Sequence, residues 1–552
     1  MKTTYITILI GFSSLAKAYT LSPAETYARC YSQFTGMRVP SNDVRLIDLK
    51  SNKINYVEAC LNLLKLADLD DDGIAKTKDA SGYPTLETQR ILQTFNDFHR
   101  NWFENLNLPS SSTYELYDPG EMAYHISHAL FTTKPYHKII SDENTYESIR
   151  YSPTNMQKYK WINGPHWESA IRGWASTIRT LWGKNKYGKD WQYGWWRTVP
   201  YNPRVPQTGV LIGFRQMPMD EDPIPFLQGS KLYFIVDPYL NLKRDSVSFK
   251  NLEYGYSIPS TYRDDLKTSD LKAHQPYGSG VIGTVPYLLM NHGRSDFWKS
   301  DGLVNIPRKW SKFVLKDLLC RELPALRTED VADMVQPNSV TPFRASNSCM
   351  RCHGTMDPMA YGIRNFSTVT SGGGSIQFDE NGYQYDASGA ETGAGTMNTN
   401  PAVSKIYHTP VHIRKYETLR NDTAPLIKPT ADVDFYLKAP VGEFNFRTYD
   451  GKLIRQQFTD LNGDKGLGHY LKDLDDMYIC TAKKYYQFLT GIDVPIYDYT
   501  DPSMPQAGPE ELIHRNRIIN MGKNLKNHQS LQLLLKEIIS LDTYKEKGFG
   551  AK

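Results

Sequence analysis

Leu86-Glu87-Thr88-Gln89-Arg90-Ile91-Leu92-Gln93-Thr94-Phe95-Asn96-Asp97-Phe98-His99-Arg100-Asn101-Trp102-Phe103 is the stretch whose periodicity sets the fold class. Ile91, Leu92, Phe95, Phe98 and Trp102 recur every three or four residues, so a helix here buries one stripe and solvates the rest. Working outward, similar patterns predict helices over Ala24–Phe34, Tyr56–Leu66 and Pro119–Phe131, and a C-terminal helix carrying Leu531, Leu534, Leu535, Ile538 and Ile539 on one face. Strand signals are fewer. Lys231–Val236 is a short β-type run, while Ile376–Tyr385 and Phe444–Phe458 alternate about Asn381-Gly382 and Asp450-Gly451, the pattern of two-residue hairpins. The expected fold is mainly α with small β-hairpins. Tyr31-x-x-x-Thr35-Gly36-x-x-Val39-Pro40 and Tyr486-x-x-x-Thr490-Gly491-x-x-Val494-Pro495 both predict a helix stopped by a glycine cap.

A chain of 552 residues is long enough for several domains, each with its own core. The patterns divide it into a leader at 1–18, an N-terminal helical domain at 19–225, a central domain at 226–430 and a C-terminal helical domain at 431–552. With 64 Lys+Arg against 60 Asp+Glu the net charge is +4, a balance that argues against nucleic acid as a partner. Aromatic residues are abundant, and tryptophans crowd between Trp161 and Trp196, which suits contact with carbohydrate or another polymer. No P-loop, nucleotide-binding glycine fingerprint or nucleophile elbow stands out.

The first residues read as an export signal. Lys2 supplies the positive start, Tyr5 to Leu15 an apolar stretch, and Ala16-Lys17-Ala18 a cleavage site after Ala18. The stretch is too short to span a bilayer and no later run is long enough, so the expectation is a periplasmic or secreted protein without a transmembrane anchor.

Export changes the meaning of the six cysteines, because disulfides persist outside the cytosol. Cys349-Met350-Arg351-Cys352-His353 is the C-x-x-C-H pattern of c-type haem attachment. Thiols three apart on a helical turn face one side, where they add to the two vinyl groups of a haem. The adjacent His353 presents an imidazole to the iron from that same side. A local disulfide and half of a zinc site are the alternatives for the pair, although no second cluster at zinc spacing exists. The other four cysteines allow three connectivities, of which Cys30–Cys60 and Cys320–Cys480 are favoured over other pairings or free, buried thiols.

Around this motif, Ser348-Cys349-Met350-Arg351-Cys352-His353-Gly354-Thr355-Met356-Asp357-Pro358-Met359 and the later Asn365-Phe366 resemble a planctomycete-type family of large exported cytochrome c-like proteins. Its hallmark is C-x-x-C-H followed by x-x-x-D-P and an aromatic-ended helix. The resemblance extends upstream to Lys309–Pro324 and downstream through Tyr385–Gly389, and includes Gly466–Gly491 and Leu531–Asp542. It implies a haem-binding, electron-transfer protein with a cytochrome c-like segment embedded in a larger helical chain. One departure is that Tyr361-Gly362-Ile363-Arg364 follows where the family has glycine and an acidic residue after Asp-Pro.

Single residues divide between chemistry and structure. His353 is the expected proximal iron ligand. Met356 and Met359 share its side of the ring, whereas Met397 lies beyond a glycine-rich stretch with reach to the opposite face; it is the candidate distal ligand, with His408, His412, another methionine or an open position as alternatives. Arg351 and Arg364 are candidates for the haem propionates. Asp357-Pro358 reads as helix punctuation rather than chemistry. Asp68-x-Asp70-x-Asp72-Gly73 with Asp79 imitates a calcium loop, but Lys76 and the missing final Glu favour a solvated turn; Asp460-x-Asn462-x-Asp464 imitates it less well. Glu121-x-x-x-His125-x-x-His128 puts three polar groups on one helical face, a structural face unless further metal ligands join it.

The sequence therefore predicts one covalent haem c and electron transfer to a redox partner protein. A haem-dependent oxidoreductase and a non-catalytic envelope or polysaccharide-binding protein are the alternatives.

Overall fold

The computed structural model describes residues 20–103, 120–144, 146–151, 210–216, 277–291, 307–339, 342–363, 366–370, 375–378, 384–385, 405–407, 411–415, 440–461 and 463–546. The leader, Lys231–Val236, the tryptophan-rich stretch, Arg364, Met397 and His408 lie outside the described residues, as do the boundaries at 225 and 430. The architecture is mainly helical. Its longer helices are α1 (Pro23–Thr35), α2 (Val44–Lys50), α3 (Tyr56–Leu64), α4 (Leu86–Arg100), α5 (Glu121–Phe131), α6 (Val285–Asn291), α7 (Arg308–Leu319), α8 (Asn347–Tyr361), α9 (Asp475–Thr490), α10 (Pro509–His528) and α11 (Leu531–Ser540).

Local signals start and stop these helices. Ser22 and Glu25 form a reciprocal capping box ahead of α1, and Asn55 and Glu58 do the same for α3, so orphan amides at both N-termini are satisfied. Gly36 and Gly491 end α1 and α9 with φ of 69° and 73°, a left-handed conformation that glycine adopts without a Cβ clash. The preceding threonines repeat the device, Thr35 and Thr490 each donating back to the carbonyl four residues earlier. The two echoing sequences are thus one stop signal used twice.

The stripe read from α4 is buried at Ile91, Leu92 and Phe95 and half-buried at Phe98, and Trp102 is buried just past the helix end. On α11, Leu531, Leu534, Leu535, Ile538 and Ile539 are all buried, each worth about 1.5–3 kcal/mol relative to exposure. These stripes meet in one hydrophobic cluster that contains residues of α1, α3, α4, α5, α7, α9, α10 and α11. N- and C-terminal helices therefore share a core: Arg29 of α1 donates to the carbonyl of Tyr544, 2.6 Å away. Cys30–Cys60 and Cys320–Cys480 lie at disulfide distance, with Cα separations of 6.0 and 5.2 Å. The first ties α1 to α3; the second ties the end of α7 to α9.

The sheets are small and antiparallel. β1 (Tyr146–Tyr151) pairs with β2 (Val210–Gln216), β3 (Phe366–Thr370) with β7 (Val411–Lys415), and β4 (Ser375–Phe378) with both β5 (Gln384–Tyr385) and β6 (Lys405–Tyr407). The last pair is β8 (Gly442–Arg447) with β9 (Leu453–Phe458). Both expected hairpins form, but neither register fits a two-residue turn. β4 and β5 close at Phe378↔Gln384, which puts an odd number of residues between the strands. At the other hairpin Thr448 and Lys452 still pair, Gly451 donates to the Thr448 carbonyl, and Gly451 has φ of 82°. Tyr449-Asp450-Gly451 is thus a three-residue connection with glycine at its left-handed position. Asp-Gly marks both kinds of turn, and only the pairing register separates them.

Candidate haem-attachment site

The C-x-x-C-H motif opens α8. At 100° per residue Cys349, Cys352, His353 and Met356 fall on one side of this helix, and all four are half-buried. The opposite side faces the protein. Met350 packs with Leu326, Val331, Met334 and Phe343, while a Cβ on Gly354 would come within 2.8 Å of the Met334 sulfur. Glycine at 354 is therefore what lets α8 lie against this cluster. Cys349 and Cys352 are free thiols, not bonded to one another, and burial pushes the Cys352 thiol up.

Asp357-Pro358 does not end the helix, as the sequence suggested; α8 runs through it to Tyr361. Proline lacks the amide that would satisfy the carbonyl four residues back, on Gly354. The buried side-chain amide of Asn445, from β8, supplies that donor at 3.0 Å. Beyond the helix, Gly362 and Gly442 both lie against the Phe458 ring, where a Cβ on either would collide with it. Glycine at 362 thus makes room for β9.

Asp357 carries more than punctuation. Its carboxylate, 5 % exposed, takes Nε and Nη2 of Arg308 at 2.5 and 3.0 Å. One turn back on the same helix, His353 Nδ1 lies 3.2 and 3.3 Å from the two carboxylate oxygens. Burial alone would raise this carboxyl, but hydrogen bonds from His353 and Arg308, with the Arg308 charge, hold it below the usual carboxylate range. A proton on Nδ1 shared with Asp357 fixes the tautomer in which Nε2 keeps its lone pair. Phe343 stacks on the imidazole, 4.0 Å between centroids at 20°, and Arg308 lies 5.2 Å from the other ring, Phe343, so the imidazole plane is set as well. Sequence reasoning missed Arg308, Phe343 and Asn445; the one available signal was the i, i+4 spacing of His353 and Asp357.

Other candidates are placed as follows. Arg351 turns away from the thiol stripe, donating from Nε to the Leu326 carbonyl at 3.0 Å and approaching Asp501 at 3.9 Å. It is engaged behind the helix rather than beside the motif. Met359 is fully buried in the core, and His412 is a β7 residue whose backbone pairs with Val369. Glu121, His125 and His128 do share a face of α5, but that face is core. His125 Nε2 lies 3.8 Å from Glu121, and Tyr146 packs against both imidazoles at 4.5 and 4.7 Å. Asp142 nearby is committed to Lys134 and to the Tyr146 hydroxyl.

The calcium-like loop is a turn docked on β2 through an isolated bridge between Ile74 and Gly213. Gly73, with φ of 75°, has its carbonyl accept from the Phe214 amide at 2.9 Å, and Ala75 donates to Ile212, both on β2. The Asp70 carboxylate accepts from the Asp72 and Ile74 amides and pairs with Lys78, and Asp68 accepts from Gln532. Of the weaker copy, Asn462 lies outside the described residues. Among the described residues no three His, Cys, Asp or Glu side chains are grouped to hold a metal ion, and no helix is long and apolar enough to cross a membrane.

The chemistry of the donor set fits a covalently attached haem: two unbonded thiols at C-x-x-C spacing and an oriented imidazole share one partly exposed helical stripe. No known protein family, curated protein or solved structure matches the chain.

Proposed function

We propose that this chain is an exported monohaem c-type cytochrome-like protein that transfers electrons to or from a redox partner protein. The observation that carries the reading is the common stripe of Cys349, Cys352 and His353, with His353 Nδ1 already committed to a buried carboxylate. In this reading Cys349 and Cys352 would hold the porphyrin by two thioethers and His353 Nε2 would be the protein's ligand to the iron. The haem iron supplies the chemistry, a one-electron cycle between Fe(II) and Fe(III). What the chain adds is orientation and field. Asp357 fixes the tautomer and orientation of the imidazole, and as the acceptor of its Nδ1–H would strengthen electron donation from Nε2 to the iron and lower the reduction potential. Arg308 keeps that carboxylate charged, and Phe343 keeps the ring from turning.

The leader at 1–18 belongs to the same proposal, because haem c is attached outside the cytoplasm and both disulfide-distance pairs suit that compartment. A second reading, haem-dependent oxidoreductase, draws on the same Asp357–His353 pair, since an imidazole oriented by a carboxylate would also suit a haem that binds and activates a substrate. Met397 remains the proposed distal ligand of the carrier.

The test is the intact mass and visible spectrum of the mature protein produced with cytochrome maturation machinery, beside Cys349→Ala. One added haem and a sharp reduced band, both lost in the variant, are expected. An unmodified mass and a colourless protein would overturn the proposal. A six-coordinate low-spin spectrum supports the carrier, and a five-coordinate, ligand-reactive one the enzyme.

A further inference from the structure

A cleft of about 610 Å³ opens on the far side of the haem-motif helix, between the ends of α4 and α7, the face of α9 and the segment that follows it. Its size is that of a small-molecule site. Phe98 and Phe488, stacked at 4.2 Å, and Trp102, edge-on to Phe98 at 5.6 Å, give it an aromatic wall.

Its polar walls are unevenly satisfied. The carboxylates are engaged: Asp493 with Lys483, Glu322 with Lys316, Asp498 with Arg327, Asp501 with Ser503, and Asp317 with the Tyr287 hydroxyl. Two donors are not. Arg321, only 4 % exposed, gives Nη2 to the Arg447 carbonyl at 3.0 Å and lies 5.2 Å from the Phe446 ring, but its Nη1 has no hydrogen-bond partner. Trp102, 5 % exposed, has an indole Nε1 that is likewise unpartnered. Asp476 and Asp498 act on the Arg321 charge but leave its Nη1 without a hydrogen bond. Buried polar groups are ordinarily paired, so two idle donors on residues lining one cleft, one of them on a cation, suit a ligand that brings acceptor oxygens.

We propose that this cleft binds a small organic anion, a carboxylate carried on an apolar or aromatic body, with Arg321 as its charged partner and the Phe98–Trp102–Phe488 wall against its body. The proposal stands without the haem reading. The two sites are nonetheless adjacent, because Leu326 and Asp501 line the cleft and are the residues that Arg351 of the motif helix reaches.

The test is calorimetric titration of the full, disulfide-bonded protein with benzoate, benzamide and inorganic phosphate. Benzoate is expected to bind about tenfold or more tightly than either of the others, since only it joins the charge to the ring. Arg321→Gln, which removes the cleft's buried cation and keeps a side-chain amide in its place, is expected to keep the fold by thermal melt and to weaken benzoate about tenfold or more. Trp102→Phe, which keeps a ring and removes the N–H, should weaken it less. Equal binding of benzoate and benzamide, no benzoate binding, or unchanged binding by Arg321→Gln would overturn the proposal, and phosphate binding as tightly as benzoate would overturn the apolar part. Should Arg321→Gln not fold, the benzoate–benzamide contrast in the unaltered protein still decides.

Discussion

The same four kinds of side chain occur twice in this molecule with opposite results. On α8, His353 stands with Asp357, Arg308 and Phe343; behind α5, His125 and His128 stand with Asp142, Lys134 and Tyr146. On α8 the carboxylate bonds the imidazole directly, and the His353 side chain keeps 22 % of its surface exposed beside two thiols. Behind α5 the carboxylate is spent on Lys134 and Tyr146, and the His125 side chain is 1 % exposed. The first arrangement holds an oriented imidazole partly at the surface; the second closes one into the core as an aromatic filler. Composition does not separate them. What separates them is which partner takes the carboxylate, and whether the ring edge is left at the surface.

The comparison breaks most sharply on haem content. His353→Ala is expected to abolish the haem-dependent visible band, whereas His125→Gln should retain it; spectra of both variants produced with cytochrome maturation machinery check this. Equal loss in both would mean that the α5 histidine is not merely packing.

Acid comes next. Burial holds His125 at about 3 and His128 at about 4, against 6.5 in an unfolded chain. Between these values the unfolded state binds protons that the folded state does not, so stability falls as pH falls below about 6.5. The expected slope is about 1.4 kcal/mol per pH unit for each histidine. Asp476, raised by burial to about 7, has the opposite sign and offsets about one of them. Urea midpoints from pH 7 to 5 should therefore show a slope that His125→Gln reduces by one proton.

Removing the carboxylate from the α8 arrangement is a smaller effect. Asp357→Ala strips Arg308 and His353 of their shared partner and should cost roughly 2–3 kcal/mol, less than for a fully buried pair because Arg308 is 30 % exposed. In haem-loaded protein Asp357→Asn should raise the reduction potential; an unchanged potential would reduce Asp357 to a structural role. Asn445→Ala leaves the Gly354 carbonyl unpaired in the core and should cost about 1–3 kcal/mol by urea unfolding. The smallest effect is expected from Met356→Leu. This residue lies three residues from His353 on the same side of α8, where it would not serve as a second iron ligand, so the spectrum of the haem-loaded protein should not change.

Much of the helical framework was legible because its information is local. Capping boxes, glycine stops and apolar stripes act within one or two turns, so α1, α3, α4, α5 and α11 follow from the residues within them. α2 was missed, because seven residues with Leu46 and Leu49 as the buried pair make too short a period. The hairpins were legible as strand pairs and not as turns, because Asn-Gly and Asp-Gly tolerate more than one loop length. The candidate site was legible as a motif and illegible as a surrounding shell.

By itself the sequence determined the mainly helical class, the C-x-x-C-H spacing and its single helical face, since each depends on contacts a few residues apart. Only the tertiary structure decided that Arg308, Phe343 and Asn445 converge on α8 from up to 91 residues away, and that one histidine–aspartate set opens outward while the other is sealed. A donor and an acceptor so far apart along the chain leave no periodic trace. Their pairing is settled by how the helices pack against each other in three dimensions, where burial makes a missing partner costly.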